Sequence, residues 1–408
     1  MAGLRLRALT LPDAVVPLRL SRRRFWLGAG ALALFGLLCV IGSPFSKFVD
    51  FSQFWSAGQT VGTPDLFDGD RHIAWQQAHG LGLGWWMYPP GTAWLFVPFS
   101  IWSLPVGFWL HALFMVSCVA VSGIMGARIF GLDRRVALIM AFAWTPSMSS
   151  AIAGQNAAMG LLFCMIAIEG LRRGNDGLTG LGVGLLLYKP TLALPLLGLL
   201  VLRLRWRALL VVAGCAVAWY LAGVAAAAGE WSWPGHWVTM LGDYYAGDTA
   251  FNVVRAISMP GLLQGLGVPS VAALGLGVVM VVLAIPRLIR APIVEAGAGA
   301  VLVGLAVSPH ALNYEGVLVL PALLWAMGGS GTGIREPART RLVVGACIIA
   351  PEFLCSETVG LSILAAITFL GAWIWILGLW RTTAEVPASP AVGLASPRES
   401  EALSPATL

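Results

Sequence analysis

The sequence predicts an all-α integral membrane protein, a polytopic bundle of about 11–12 transmembrane helices, and three observations carry that prediction. Of its 408 residues, 58% are hydrophobic and only 11% charged, where a soluble domain carries about a quarter; the mean hydropathy is +0.82. The apolar runs come at lengths that suit a bilayer crossing, separated by glycines and short arginine-bearing turns. The short segments of alternating polarity that build a membrane β-barrel are missing from the sequence.

Residues 1–24 read as a cytoplasmic N-terminus, with Arg22, Arg23 and Arg24 standing directly before Phe25. The run that follows, 25–42, is too long for the apolar core of a signal peptide and lacks an A-x-A site, so it reads as a retained first span. Further runs cover 88–102, 105–127, 136–152, 156–171, 177–202, 209–228, 268–289, 293–307, 316–327, 342–355 and 361–379. Residues 25–380 thus form one membrane domain with two long loops, 45–87 and 229–259, both rich in tryptophan, tyrosine, histidine and acids. With the N-terminus inside, loop 45–87 is extracytoplasmic and long enough for short interfacial helices. The linker 328–341 carries Arg335, Arg339 and Arg341 and reads as cytoplasmic; residues 381–408, rich in Pro, Ala, Ser and Glu, read as a disordered cytoplasmic tail.

The net charge of +6 does not make a nucleic-acid surface, because the basic residues stand at the ends of apolar runs, as in Arg203, Arg205 and Arg207. Counting every run as a full crossing puts Arg128, Arg134, Arg135, Arg172 and Arg173 on the outside, against that rule. A break within 88–127 repairs this only if the run 177–202 is broken as well. The six cysteines (Cys39, Cys118, Cys164, Cys215, Cys347, Cys355) lie in or beside apolar segments with no C-x-x-C pair, so neither a disulfide framework nor a metal site is expected. The glycines of "GLGVGLLL" read as helix-packing surfaces.

Chemistry-bearing residues are few. Asp50, in "SKFVDFSQFW", is either an acid marking the end of the first span or a carboxylate at the mouth of a membrane cavity, placed to act as general base on an acceptor hydroxyl. "YPPG" at 88–91 suits a helix start, and Trp85, Trp86 and Tyr88 crowd beside it. "GQN" at 154–156 is a turn, or a pair of amides turned toward protein or water. Lys189, one of only two lysines with Lys47, lies far from both ends of its run within "YKP"; its ammonium is a compact partner for phosphate oxygens, and Pro190 breaks the helix beside it. "SPHALNYE" at 308–315 sets His310, Asn313, Tyr314 and Glu315 between two late runs. No Walker loop, HExxH or nucleophile elbow is present.

Taken in order, "DFSQFWSA" from Asp50, "LFD", "YPP", "GQN", "KP" and "SPHALNY" resemble glycosyltransferase family 87 over about residues 45–314. This family lies in the GT-C superfamily of integral-membrane enzymes that use polyprenyl-phosphate sugars, and it includes polyprenol-phosphate-mannose-dependent α-mannosyltransferases of bacteria. The resemblance implies a GT-C-like bundle and an inverting transfer of a hexose, mannose foremost, to a lipid or glycan acceptor. It implies a multi-pass inner-membrane protein whose active site faces the extracytoplasmic side. Asp50 then matches the family's general base; Lys189, with His310 and, by charge alone, Arg255, would meet the donor phosphate; Tyr88, Gln155, Asn156, Tyr188 and Tyr314 would line the substrate cavity. The partners implied are the donor, the acceptor and membrane lipids, with no nucleic acid. No second acid stands beside Asp50 as in other GT-C enzymes, which favours a reaction without metal or other cofactor. The rival from another class is a transporter or flippase of lipid-linked solutes, which usually carries internal repeats and charges near mid-membrane; the two halves of this chain share no repeated motif.

Overall fold

The computed structural model describes residues 21–42, 49–82, 84–252, 255–328 and 363–378. Residues 1–20, Lys47, the linker arginines, the run 342–355 with Cys347 and Cys355, and the tail 381–408 lie outside the described residues. Among those described, the chain is all helix with one isolated bridge, between Ala256 and Leu312. It is an all-α membrane protein.

Helix α1 (Arg22–Gly42) is followed by α2 (Val49–Thr60) and α3 (Gly69–Ala78), short helices within the first long loop. Asp68 caps α3, its side chain accepting the N–H groups of Asp70 and Arg71. The run 88–102 is not a continuous helix. Pro89, Pro90 and Pro98 limit it to a 3-10 helix, Pro90–Leu95, and the four-residue α4 (Val97–Ser100). Then α5 (Leu104–Phe130) is continuous and ends on Gly131 with φ 67°.

The run 136–152 divides at Trp144 into α6 (Arg134–Ala143) and α7 (Thr145–Ile152), the second started by Pro146. Helix α8 (Ala157–Arg173) precedes the decisive break. Residues 177–202 form α9 (Asp176–Leu185), a 3-10 turn over Leu186–Tyr188, and α10 (Pro190–Leu202). Lys189 joins them at φ −136°, ψ 89°, because the residue before a proline is pushed out of the helical region. After α11 (Trp206–Ala226), the second long loop is largely the helix α12 (Trp233–Asn252), followed by α13 (Met259–Gly265), α14 (Ser270–Arg290), α15 (Ile293–Val307), a 3-10 helix at Asn313–Val319, α16 (Leu320–Gly328) and α17 (Ile363–Ile376). Among the described residues three helices, α5, α11 and α14, are long and apolar enough to cross a membrane alone.

The halved hairpin α9–α10 settles where the basic residues gather. The buried carboxylate of Glu169 pairs with Arg128 at 3.2 Å, Arg172 at 2.7 Å and Arg173 at 2.6 Å, drawing the C-terminal ends of α5 and α8 together. Arg205 pairs with Asp176 at 2.5 Å, and Arg203 donates to the carbonyls of Leu288 and Ala291 at the end of α14. The arginine clusters therefore share one end of the bundle, and the Lys189 turn points to the other. Close packing makes the hairpin possible: a Cβ on Gly182 would lie 2.5 Å from the backbone nitrogen of Ala167 in α8, so only glycine allows that approach.

Candidate active site

At the end away from the arginine clusters lies a cavity of about 740 Å³, within the range of small-molecule sites. Its lining comes from α2, the 84–89 stretch of loop, α7 with the 153–155 turn, the Lys189 break, α12, Arg255 and the 309–314 turn. Asp50, Tyr88, Gln155, Lys189, Arg255, His310 and Tyr314 all line it. Asn156 and Tyr188 do not. Both are fully buried behind the wall, where Asn156 is a knot: its side-chain oxygen lies 3.4 Å from the hydroxyls of Tyr88 and Tyr188, and its backbone carbonyl accepts from Tyr188 at 3.2 Å. Both touch Tyr88, Asn156 through its side-chain oxygen and Tyr188 by a parallel ring 6.4 Å away.

Asp50 sits in the first turn of α2, beside the fully buried Phe51. Gln155 reaches across from the 153–155 turn and donates its amide N–H to Asp50 Oδ2 at 2.9 Å. Gly154 makes that reach possible. It has φ 71°, and a Cβ there would stand 2.6 Å from Phe51 Cβ, so the turn can close on α2 only with glycine at this position. Burial raises the Asp50 carboxyl above its ordinary value, opposed by the Gln155 hydrogen bond and the positive charge of Arg255. A carboxylate raised in this way is a stronger base than one in water.

Opposite Asp50 in sequence, Lys189 enters the wall because its backbone is extended between two half-helices. Its ammonium pairs with Glu315 and lies 5.6 Å from the ring centre of Tyr88 and 6.0 Å from that of Tyr314. Arg255 and His310 arrive together: Ile257 donates to the carbonyl of Ala311 at 2.8 Å beside the Ala256–Leu312 bridge. Arg255 is exposed and His310 half-buried.

A buried network that the sequence did not reveal holds the described part of the first loop together. His72, Ser56 and Gln76 are buried together, with Ser56 Oγ 3.1 Å from His72 Nε2 and 3.0 Å from Gln76 Nε2. Gln76 also accepts from the Gly84 N–H and donates to its carbonyl, pinning the strand that presents Trp85 and Tyr88. Burial lowers His72 to about 4, so it is neutral at physiological pH. Asp65, Asp68 and Asp70 stay outside the cavity lining.

Four lining residues were not assigned to the cavity from the sequence. Gln53 and Trp85 line it from the first loop, and Trp237 and Tyr244 from α12. Their signal was available in the spacing: Trp233, Trp237 and Tyr244 share one helical face, at i, i+4 and i+11. Glu315 stood out only as part of the 308–315 group, and nothing in the sequence pointed to its partner, which lies 126 residues away. Among the described residues no group of three or more His, Cys, Asp or Glu side chains is placed to share a metal ion.

The sequence model of glycosyltransferase family 87 matches residues 86–321. No curated protein and no solved structure matches the chain. The matched stretch contains Tyr88, Gln155, Lys189, Arg255, His310 and Tyr314, and it begins after Asp50, which joins them through the Gln155 hydrogen bond.

Proposed function

We propose that this chain, which belongs to glycosyltransferase family 87, transfers a hexose, mannose foremost, from a polyprenyl-phosphate donor to a lipid or glycan acceptor. Membership makes it a membrane glycosyltransferase acting on a sugar donor and an acceptor; the nature of both, and the roles below, are our reading. The observation that carries it is one cavity lined by a held carboxylate, Asp50, together with the cationic side chains of Lys189 and Arg255 and the imidazole of His310.

In this reading residues 25–380 are the catalytic domain of a bacterial-type inner-membrane protein. The arginine-bearing end faces the cytoplasm by the positive-inside rule, which puts the cavity on the extracytoplasmic side. The polyprenyl tail stays in lipid while the sugar phosphate enters the cavity. Asp50 takes the proton of the acceptor hydroxyl as that oxygen bonds to the anomeric carbon. The bond from that carbon to the phosphate oxygen breaks on the opposite face, inverting the centre and releasing polyprenyl phosphate. Lys189 and Arg255 stabilise the charge left on the phosphate, so no external acid is required at the leaving group. Trp85, Trp237 and Tyr244 offer ring faces to a sugar.

The test is transfer by the purified protein from polyprenyl-phosphate mannose to candidate glycolipid acceptors, wild type against Asp50→Asn. Loss of a general base lowers the rate by about 10²–10⁴-fold; the variant should retain donor binding. An Asp50→Asn enzyme as active as wild type would remove Asp50 from the chemistry. Vectorial movement of the lipid in liposomes without any transfer would replace the reading with that of a flippase.

A further inference from the structure

The cavity's cationic wall hangs on a carboxylate that does not face the cavity. Glu315 is almost completely buried, its side chain 2% exposed, and it is not among the lining residues. Both of its oxygens are engaged. Oε1 meets the Lys189 ammonium, and Oε2 accepts the backbone N–H of Leu312 at 3.1 Å. Leu312 in turn bridges to Ala256, next to Arg255, and stands two residues from His310 and from Tyr314. One side chain thus joins the half-helix break that presents Lys189, the turn that presents His310 and Tyr314, and the strand of loop that presents Arg255.

Resting on the phosphate reading above, we propose that Glu315 is the positioning residue for donor-phosphate recognition: it fixes the Lys189 ammonium in the wall and ties to it the segments carrying Arg255 and His310. A lysine has a long flexible stem and a charge that attracts water. Held by one carboxylate and flanked by the Tyr88 and Tyr314 rings, it keeps its remaining N–H groups in a fixed direction, so a phosphate oxygen meets an ordered donor and not a mobile one. Removing the carboxylate leaves a buried charge without its partner, which costs more than the pair itself contributes. Glu315→Gln keeps the size of the side chain and an oxygen for Leu312 N–H, yet turns an amide toward the ammonium, so its damage is confined to Lys189.

The test compares binding of a short-chain polyprenyl phosphate with binding of the matching polyprenol, read by the fluorescence of tryptophans such as Trp85 and Trp237 in the cavity wall. Glu315→Gln should weaken the phosphate by roughly tenfold or more, the loss of a charged hydrogen-bond contact, and leave the polyprenol within a few-fold of wild type. Glu315→Asp should recover part of the loss. Lys189→Ala should match Glu315→Gln, and the double variant should bind no worse than Lys189→Ala, because the two residues act as one unit. Equal weakening of both lipids by Glu315→Gln, or a double variant much weaker than Lys189→Ala, would overturn the positioning role. Wild-type phosphate binding by Glu315→Gln, with Lys189→Ala defective, overturns it while leaving the phosphate reading in place. Wild-type phosphate binding by Lys189→Ala overturns both.

Discussion

The Gln155–Asp50 contact makes a prediction in which magnitude decides. The Gln155 amide donates to Asp50 at 2.9 Å, while its own oxygen has no partner, so truncation removes one hydrogen bond and disturbs no other. A hydrogen bond to a charged group is worth about 1.5–3 kcal/mol. Water from the cavity can enter the space that Gln155→Ala opens, which favours the low end, still about tenfold in an equilibrium. The bond favours the ionised carboxylate, so its loss raises further a group that burial already raises. The sign follows. A general base works only when ionised, so the acidic limb of the transfer-rate profile should move to higher pH. On that limb, at fixed pH, Gln155→Ala should be roughly tenfold slower than wild type, while the two enzymes differ by only a few-fold on the alkaline plateau. The assay is single-turnover transfer across the acidic range with donor saturating. A uniform loss at every pH, with the limb unmoved, would refute the claim that Gln155 tunes Asp50 and leave it a packing residue.

Two further predictions concern the scaffold around Asp50. Gly154→Ala places a Cβ 2.6 Å from Phe51 Cβ at φ 71°, so the 153–155 turn should retreat from α2 and transfer should fall at least as far as in Gln155→Ala, measured at neutral pH. His72 is lowered to about 4 from 6.5, so above pH 6.5 its proton occupancy is the same folded and unfolded; below it, the unfolded loop gains a proton that the folded loop excludes. The hold of the first loop should weaken by about 1.4 kcal/mol per pH unit between those values, seen as rising protease cleavage within 49–82, and His72→Gln should flatten that dependence.

Much of the site was legible because its residue types are rare in this composition. A lysine deep in an apolar run and an acid at a membrane boundary stand out against 11% charge, and the structure sets both on one cavity. What stayed hidden depends on partners far apart in sequence. Asn156 and Tyr188 have the chemistry of cavity residues, yet the Tyr188 hydroxyl turns to the oxygens of Asn156 behind the wall. Glu315 looks like one more acid at a span boundary until Lys189 arrives from another element. The His72–Ser56–Gln76 cluster is invisible for the same reason: three ordinary loop residues become a buried network only once α2 and α3 pack together.

The span count was the least legible feature, and the reason is physical. Hydropathy reports that a stretch is apolar, not that its helix is continuous, and a proline after a polar residue breaks a helix with little change in mean hydropathy. The 177–202 run is the case that matters. Left continuous, it would carry Lys189 through the bilayer and set Arg203 and Arg205 at the opposite end from Arg172 and Arg173. Broken at Lys189–Pro190, it returns Arg203 to α14 and Arg205 to Asp176 at the arginine-bearing end. Non-helical backbone at that depth is tolerated only where protein or water covers it, and the Lys189 break lies against both the cavity and Glu315. The break that divides this run therefore also delivers a cation to the cavity, and the same break accounts for the gathering of the arginines and for the site.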